Sequence, residues 1–379
     1  MTSTQPSRAE PYSVGIDIGG TTTRLAAIND QGAIVAHTSF PTPRDIDATS
    51  FAKLLCDFVS RITADSRIHS ATNVPMGIAV PATLNDNRTR VVRCVNLPFL
   101  EDVPLADLVH EQLNVMPILV TDAEAAAWAE YHALDSRPRS FAHLRLGTGV
   151  ACGIVRDGRL IRLDLNRTHH LEALCVDESA SALHCPCGLR GCLETIASGP
   201  AIIRAVSIAG LADANRDRHS EPRTPALDAK CPGSARANVP GESGDDHQNR
   251  DRKGADIIAA NEYDAPHDPL RKLNDKCHDG DTAALAVLHR VANAVRRAAD
   301  HLHQTYGVSV IGLGGGVCRS LPILLDRLCD PSDIPDASTS ANHVTLVRAA
   351  LGDRAGVIGA ARLAVQHEAV DRTETNAAP

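Results

Sequence analysis

The sequence predicts an α/β protein of two domains, and three observations carry that expectation. Segments of strand character alternate with segments of helical spacing along most of the chain. At 379 residues the chain is longer than one hydrophobic core usually serves. A strand, glycine turn and strand near the start, "VGIDIGGTTTRLAAI", recur at 141–163 as "FAHLRLGTGVACGIVRDGRLIRL", which predicts an internal pseudo-duplication.

The elements follow in order. Residues 1–12 are polar and predicted disordered. Residues 13–19 and 24–30 read as strands around Gly19-Gly20, and "AIVAHTSFP" continues as a third. A helix is predicted over "DATSFAKLLCDFVSRITAD", where Leu54, Leu55, Phe58, Val59 and Ile62 recur at helical spacing. "PMGIAVPAT" is a strand and a loop, and "PILVTDAEAAAWAEYHAL" is a strand that becomes a helix at Asp122. The first domain is predicted over 13–122, completed by a C-terminal helix at 352–367, and the second over 123–351. Residues 214–254 have almost no large apolar side chains and many Pro, Gly, Arg and Asp, which predicts a disordered insertion. A helix then carries Leu285, Leu288, Val291, Val295 and Leu302 on one face and stops at Gly307. "VSVIGLGGGVCRS" reads as a strand, a glycine turn and a helix start, and "GDRAGVIGAARLAVQH" as the last helix.

Composition narrows the function. A net charge of −8 and a pI near 6.1 argue against binding to nucleic acid or to an anionic membrane surface. No apolar run approaches the roughly 20 residues of a membrane span. "MTSTQPSRAEPY" has no apolar signal core, so a cytoplasmic location is expected. Eleven cysteines there read as thiols or metal ligands, not as a disulfide framework.

The chemistry sits in the glycine turns. Glycine lets backbone N–H groups approach an anion, threonine hydroxyls add donors, and a neighbouring aspartate can hold Mg²⁺. A single Gly-Gly hairpin is usually only a turn. Three glycine-rich loops after strands, at 17–23, 146–149 and 312–316, fit a nucleotide cradled between two domains better than three unrelated turns.

"DIGGTTT", "LGTGVACGIV", "CPCGLRGCLE" and "GLGGGV" resemble, in order and spacing, the ROK family of sugar kinases and sugar-responsive repressors. The resemblance runs from about Val14 to the "AGVIGAA" helix. It implies the actin-like ATPase fold: two ribonuclease-H-like α/β domains that close over ATP and a sugar, excluding water. Asp122 then matches the catalytic aspartate, the base that takes a proton from the attacking hydroxyl. A helix N-cap is the plainer reading of the same aspartate. Asp17 matches the aspartate near Mg²⁺, and Gly19, Gly20, Thr21 and Thr22 the phosphate loop, with Thr22 where many members carry lysine. Gly147, Thr148 and Gly149, and Gly314, Gly315 and Gly316, match the other nucleotide loops.

Cys185, Cys187 and Cys192 are spaced as C-x-C-x4-C, with Gly188 and Gly191 letting the chain wrap a tetrahedral ion, and a structural Zn²⁺ is expected. Ala173 stands where the family has the histidine that completes the set; Cys175 and His184 are the substitutes, Cys175 the favoured one. The sugar pocket departs from the family too. His170 replaces a glutamate, Thr121 an asparagine and Ala82 a glycine, while Asn96 and Glu194 match family sugar contacts. Unmatched buried polar groups discriminate strongly between ligands, so an acceptor other than glucose is expected, such as an amino sugar or a C7-cyclitol. The implied protein is an ATP- and Mg²⁺-dependent kinase acting on a primary hydroxyl of a hexose-like polyol, and a homodimer. A glucokinase proper or a non-catalytic sugar-binding protein is the alternative. A repressor is disfavoured, because the sixteen residues before Asp17 are too few for a winged helix.

Overall fold

Two sheets with the same strand plan organise the chain. The computed structural model describes residues 12–64, 74–162, 175–179, 181–185, 187–211, 268–330 and 344–376, with the side chains of the last helix described to residue 368. The expectations made for residues 1–11, His170, Ala173 and the insertion 214–254 lie outside the described residues.

The first sheet takes β1 (Tyr12–Ile18), β2 (Thr22–Asn29), β3 (Ile34–Pro41), β4 (Met76–Val80) and, later, β7 (Ile118–Thr121), in the order β3-β2-β1-β4-β7. Its first three strands form an antiparallel meander, and β1, β4 and β7 run parallel. Helix α1 (Ala48–Thr63) starts at Asp47, whose carboxylate accepts the Ser50 N–H, and buries Phe51, Leu55, Val59 and Ile62. The short strands β5 (Thr83–Leu84) and β6 (Val91–Arg93) form a separate ribbon before α2 (Leu105–Leu113). Side chains of α1 and α2 join Val14, Ile16, Ile78 and Leu119 in one apolar core.

Helix α3 (Asp122–Ala133) leads to the second sheet, made of β8 (Ser140–Leu146), β9 (Val150–Arg156), β10 (Arg159–Leu160), β11 (Val310–Gly314) and β12 (Thr345–Arg348). Its order is β10-β9-β8-β11-β12: again an antiparallel meander followed by parallel strands. The recurrence in the sequence is therefore a recurrence of topology. Helices α4 (Glu194–Ala197), α5 (Gly199–Ile208), α6 (Pro269–His278), α7 (Thr282–Tyr306), α8 (Gly316–Ser320) and α9 (Pro322–Cys329) build the other core, with Leu144, Ile154, Leu288, Val295 and Ile311 at its centre. Gly307 ends α7 in the left-handed conformation, at φ 68°.

The last helix, α10 (Ala355–Asn376), returns to the first sheet. It lies so close that a Cβ on Gly15 of β1 or Gly77 of β4 would run into the carbonyls of Val357 or Ala360. Its other side meets α3, and α3 in turn packs on β8 and β9. Trp128, Tyr131, Phe141, Val155 and Leu363 fill this junction. The two helices thus separate the sheets, and the strand ends that carry the glycine loops border a common crevice.

Candidate active site

The first glycine turn is held rigidly. Gly19 N–H donates to the Thr22 carbonyl at 3.1 Å, Thr42 Oγ1 donates to the Gly19 carbonyl at 2.8 Å, and Thr42 N–H donates to the Thr21 carbonyl at 2.9 Å. Arg44 reaches the Gly20 carbonyl at 3.3 Å. Thr22 and Thr23 are buried, and Thr21 alone of the three hydroxyls is exposed. In the second turn Gly147 N–H donates to the Gly149 carbonyl, and Glu194 accepts the Val150 N–H at 2.9 Å. The third turn is pressed against the second. Gly315 has φ 100°, and a Cβ there would strike the Leu146 carbonyl, so only glycine fits.

Asp122 stands where β7 enters α3, but it is not the helix cap. Thr121 is the cap: its hydroxyl accepts the Glu124 N–H at 3.1 Å, and the Glu124 carboxylate accepts the Thr121 N–H at 3.0 Å. This reciprocal pair is a capping box. Thr121, expected as a sugar contact, uses one lone pair of its hydroxyl on the cap and keeps the O–H as a donor, and Asp122 takes the first helical position with Oδ1 accepting the Ala123 N–H. Arg88 grips Glu124 with two hydrogen bonds of 2.8 Å. Burial opposes ionisation of Glu124, but this pairing overcomes it and holds the carboxyl below the usual range.

The free oxygen of Asp122 faces Arg145, with 3.6 Å between Oδ2 and Nη1. Arg145 also lines a cavity of about 90 Å³ with Asp17, Arg24, His143, Gly315 and Arg319. Asp17 is 6% exposed, and no donor among the described residues gives its carboxylate a hydrogen bond. Burial lifts its pKa to about 6, opposed by Arg145 and reinforced by Asp122. Burial raises Asp122 as well, again opposed by Arg145. A buried carboxylate without donors, beside a crevice lined by three arginines and the third glycine turn, is a fitting place for a divalent cation and its phosphates. His143 is also buried; burial and then Arg145 lower its pKa to about 4, so its ring is neutral at pH 7.

The structure therefore brings Asp17, Asp122, Gly314 and Gly315 to one crevice, with the turns of residues 19–21 and 147–149 at its strand ends. Glu194 lies against Gly149, and Asn96 is exposed in the loop before residues 98–100. Sequence reasoning missed Arg145, Arg24, Arg319 and Thr42. Arg145 had a visible signal, a charge in the strand "SFAHLRL" directly before a glycine turn.

In the cysteine cluster, the sulfurs of Cys185, Cys187 and Cys192 all lie within 4.8 Å of one another. The Cys187 and Cys192 sulfurs are 3.5 Å apart, and Cys175 brings a fourth sulfur to 3.7 Å from that of Cys192. Tetrahedral zinc with bonds of about 2.3 Å needs sulfur–sulfur edges of about 3.8 Å. The donor set and its spacing fit such an ion, with Cys175 near the cluster; His184 is exposed and bridges to Arg190 through the backbone. Burial pushes the Cys185 thiol up to about 11 and the Cys192 thiol higher still.

Two α/β halves with matching sheets, enclosing glycine turns and paired aspartates, define an actin-like ATPase fold. The chain matches the ROK family over residues 13–367, and it belongs to that family. Among curated relatives it is 32% identical over 200 residues to N-acetylmannosamine kinase of Citrobacter koseri, a match spanning 52% of this chain and 66% of that protein. Against N-acetylmannosamine kinase of Escherichia coli O1:K1 / APEC it is 32% identical over 193 residues, 51% of this chain and 63% of that one. The chain thus spans slightly under two thirds of these relatives. The fold matches the ROK hexokinase of Thermus thermophilus, with a TM-score of 0.64 at 23% identity over 95% of this chain and 99% of that one. It also matches a ROK family glucokinase of Streptomyces griseus in complex with glucose and AMPPNP, with a TM-score of 0.60 at 22% identity over 94% and 99%. No described helix is long and apolar enough to cross a membrane.

Proposed function

We propose that this protein is an ATP-dependent kinase that phosphorylates a primary hydroxyl of an amino sugar, with Asp122 as the base. The observation that carries this reading is the Asp122 carboxylate, turned at a helix start toward Arg145 on the rim of the crevice that Asp17 and the third glycine turn line. Asp122 accepts the proton of the acceptor hydroxyl as its oxygen attacks the γ-phosphorus. Its elevated pKa makes it a stronger base than a solvated carboxylate. Asp17 is the residue to hold Mg²⁺, and the ion, when bound, neutralises charge on the phosphates. The turns at Gly19–Thr21, Gly147–Gly149 and Gly314–Gly316 bind the nucleotide, and Glu194 and Asn96 meet the sugar. The relatives' activity on N-acetylmannosamine favours an amino sugar over a cyclitol. Cys175, Cys185, Cys187 and Cys192 hold a structural zinc ion in this reading.

The test is an ATP-consumption screen over hexoses, N-acetylhexosamines and cyclitols, run beside Asp122→Asn. Turnover on an N-acetylhexosamine that the substitution lowers by about 10²–10⁴-fold supports the proposal. Turnover that survives the substitution removes Asp122 from its role.

A further inference from the structure

The two hairpins that face the crevice are built alike, but their corresponding residues carry opposite charge. Asp17 is the sixth of the seven residues of β1, and Arg145 is the sixth of the seven of β8. Each is followed by one apolar residue and a glycine turn. Each strand has an antiparallel neighbour on one side and a parallel neighbour on the other. The repeated plan thus aims an anion from the first sheet and a cation from the second at the same cavity.

Arg145 is the most exposed of the three arginines there, and the one that faces the proposed base. Arg24 and Arg319 both pair with Asp353, at 3.7 and 2.8 Å. Among the described residues Arg145 pairs with Asp122 alone, at 3.6 Å, beyond hydrogen-bond length, and its side chain is 42% exposed. Among the described residues its guanidinium makes no hydrogen bond. The turn from Gly19 to Thr23 contains no cation of its own. Glu130, the remaining carboxylate of the cavity, is saturated by the N–H groups of Ala350 and Leu351.

We propose that Arg145 is a catalytic residue that leaves Asp122 to grasp the transferring phosphoryl group. The inference rests on the kinase reading and assigns one residue within it. In the step, the acceptor oxygen bonds to the γ-phosphorus while the bond from that phosphorus to the β,γ-bridging oxygen breaks. The electron pair leaves with the nucleoside diphosphate, and the acceptor proton passes to Asp122. Negative charge gathers on the phosphoryl oxygens, where a guanidinium is most effective. The exchange also frees the base. Besides the backbone N–H groups of Ala123 and Asp122, which favour the carboxylate and stay in place, four side chains act on Asp122: Arg145 from β8, Asp17 from β1, Glu124 on its own helix and Cys94 beyond β6. Arg145 alone of these four favours its ionised form, so drawing Arg145 toward phosphate strengthens the base when the substrate is in place.

The experiment compares wild type, Arg145→Gln and Arg145→Lys as full chains. Affinities for ADP and for a non-hydrolysable ATP analogue with Mg²⁺ are measured by calorimetry, and rates with whichever acceptor the wild type turns over. In Arg145→Gln the analogue's affinity falls about tenfold while that of ADP holds, and kcat falls about 10²-fold or more with the acceptor KM unchanged. The acid limb of kcat/KM moves to higher pH, because the free enzyme's base has lost its cation. Arg145→Lys recovers part of the rate. Equal weakening of both nucleotides, or an unchanged kcat, overturns the role of Arg145 and leaves the kinase reading standing. A wild type that binds neither nucleotide overturns both.

Discussion

Arg88 holds Glu124 through two hydrogen bonds of 2.8 Å, and this clamp fixes the first turn of the helix on which Asp122 sits. Arg88 adopts φ 55° in the loop before β6 and also donates to the Leu119 carbonyl. Both side chains are mostly buried, at 21% and 10% exposed. Replacing Arg88 by Met leaves a buried carboxylate without its cation, which costs about 3–5 kcal/mol. Adding Glu124→Gln to that variant recovers much of the loss. Chemical denaturation of the single and double variants measures both effects, and additive losses would contradict the clamp.

Asp17 gives the protein a pH-dependent stability. Its carboxyl titrates near 6 in the folded chain against 3.8 in the unfolded one. Between those values the folded state holds the extra proton, so stability falls as pH rises from about 4 to about 6 and stays lower above. The shift corresponds to at most about 3 kcal/mol. Asp17→Asn is expected to remove that slope and to stabilise the nucleotide-free protein by about 1–3 kcal/mol at pH 7.5. Unfolding followed across pH 4–8 decides it, and a variant less stable than wild type at pH 7.5 contradicts the expectation.

The cysteine cluster predicts one zinc ion per chain by elemental analysis. A strong chelator is expected to lower the unfolding midpoint, and Cys187→Ser to weaken metal affinity by about tenfold or more. Cys175→Ser should behave similarly, since its sulfur lies 3.7 Å from Cys192. His184→Ala should leave the bound metal unchanged, because that side chain is exposed. Metal lost on His184→Ala and kept on Cys175→Ser would reverse the assignment.

Glu130 ties the approach to α10 to α3 by accepting the N–H groups of Ala350 and Leu351 at 2.7 and 2.9 Å. Glu130→Ala removes the acceptor of two part-buried N–H groups and is expected to cost about 1–3 kcal/mol. Hydrogen exchange at residues 350 and 351 should accelerate before the rest of the molecule opens. Unchanged exchange there would contradict the tie.

Much of this architecture was readable from residue spacing. The strands around Gly19, the helix over 48–63 and the helix ending at Gly307 follow from apolar periodicity and from the conformations glycine allows. The glycine turns were visible for the same reason. What escaped was long-range pairing. Nothing local says that Arg88 meets Glu124, or that Thr42 supports the Gly19 turn from the end of the neighbouring strand. Thr121 illustrates the limit. Its capping role, which pairs it with the glutamate three residues on, was not read, although that pattern is visible in the sequence. Arg145 is the reverse case: a conspicuous charge whose meaning needed the second sheet beside the first.

Consider the order in which a ribosome delivers these pieces. β1 and β4 emerge early, but the helix that lies against their glycines, through Val357 and Ala360, emerges hundreds of residues later. Until then one face of the nascent sheet is open, and the half that holds Asp17 waits for the tail of the chain. Premature termination ahead of Val357 and Ala360 therefore disables the first-made half of the molecule, not the last-made one.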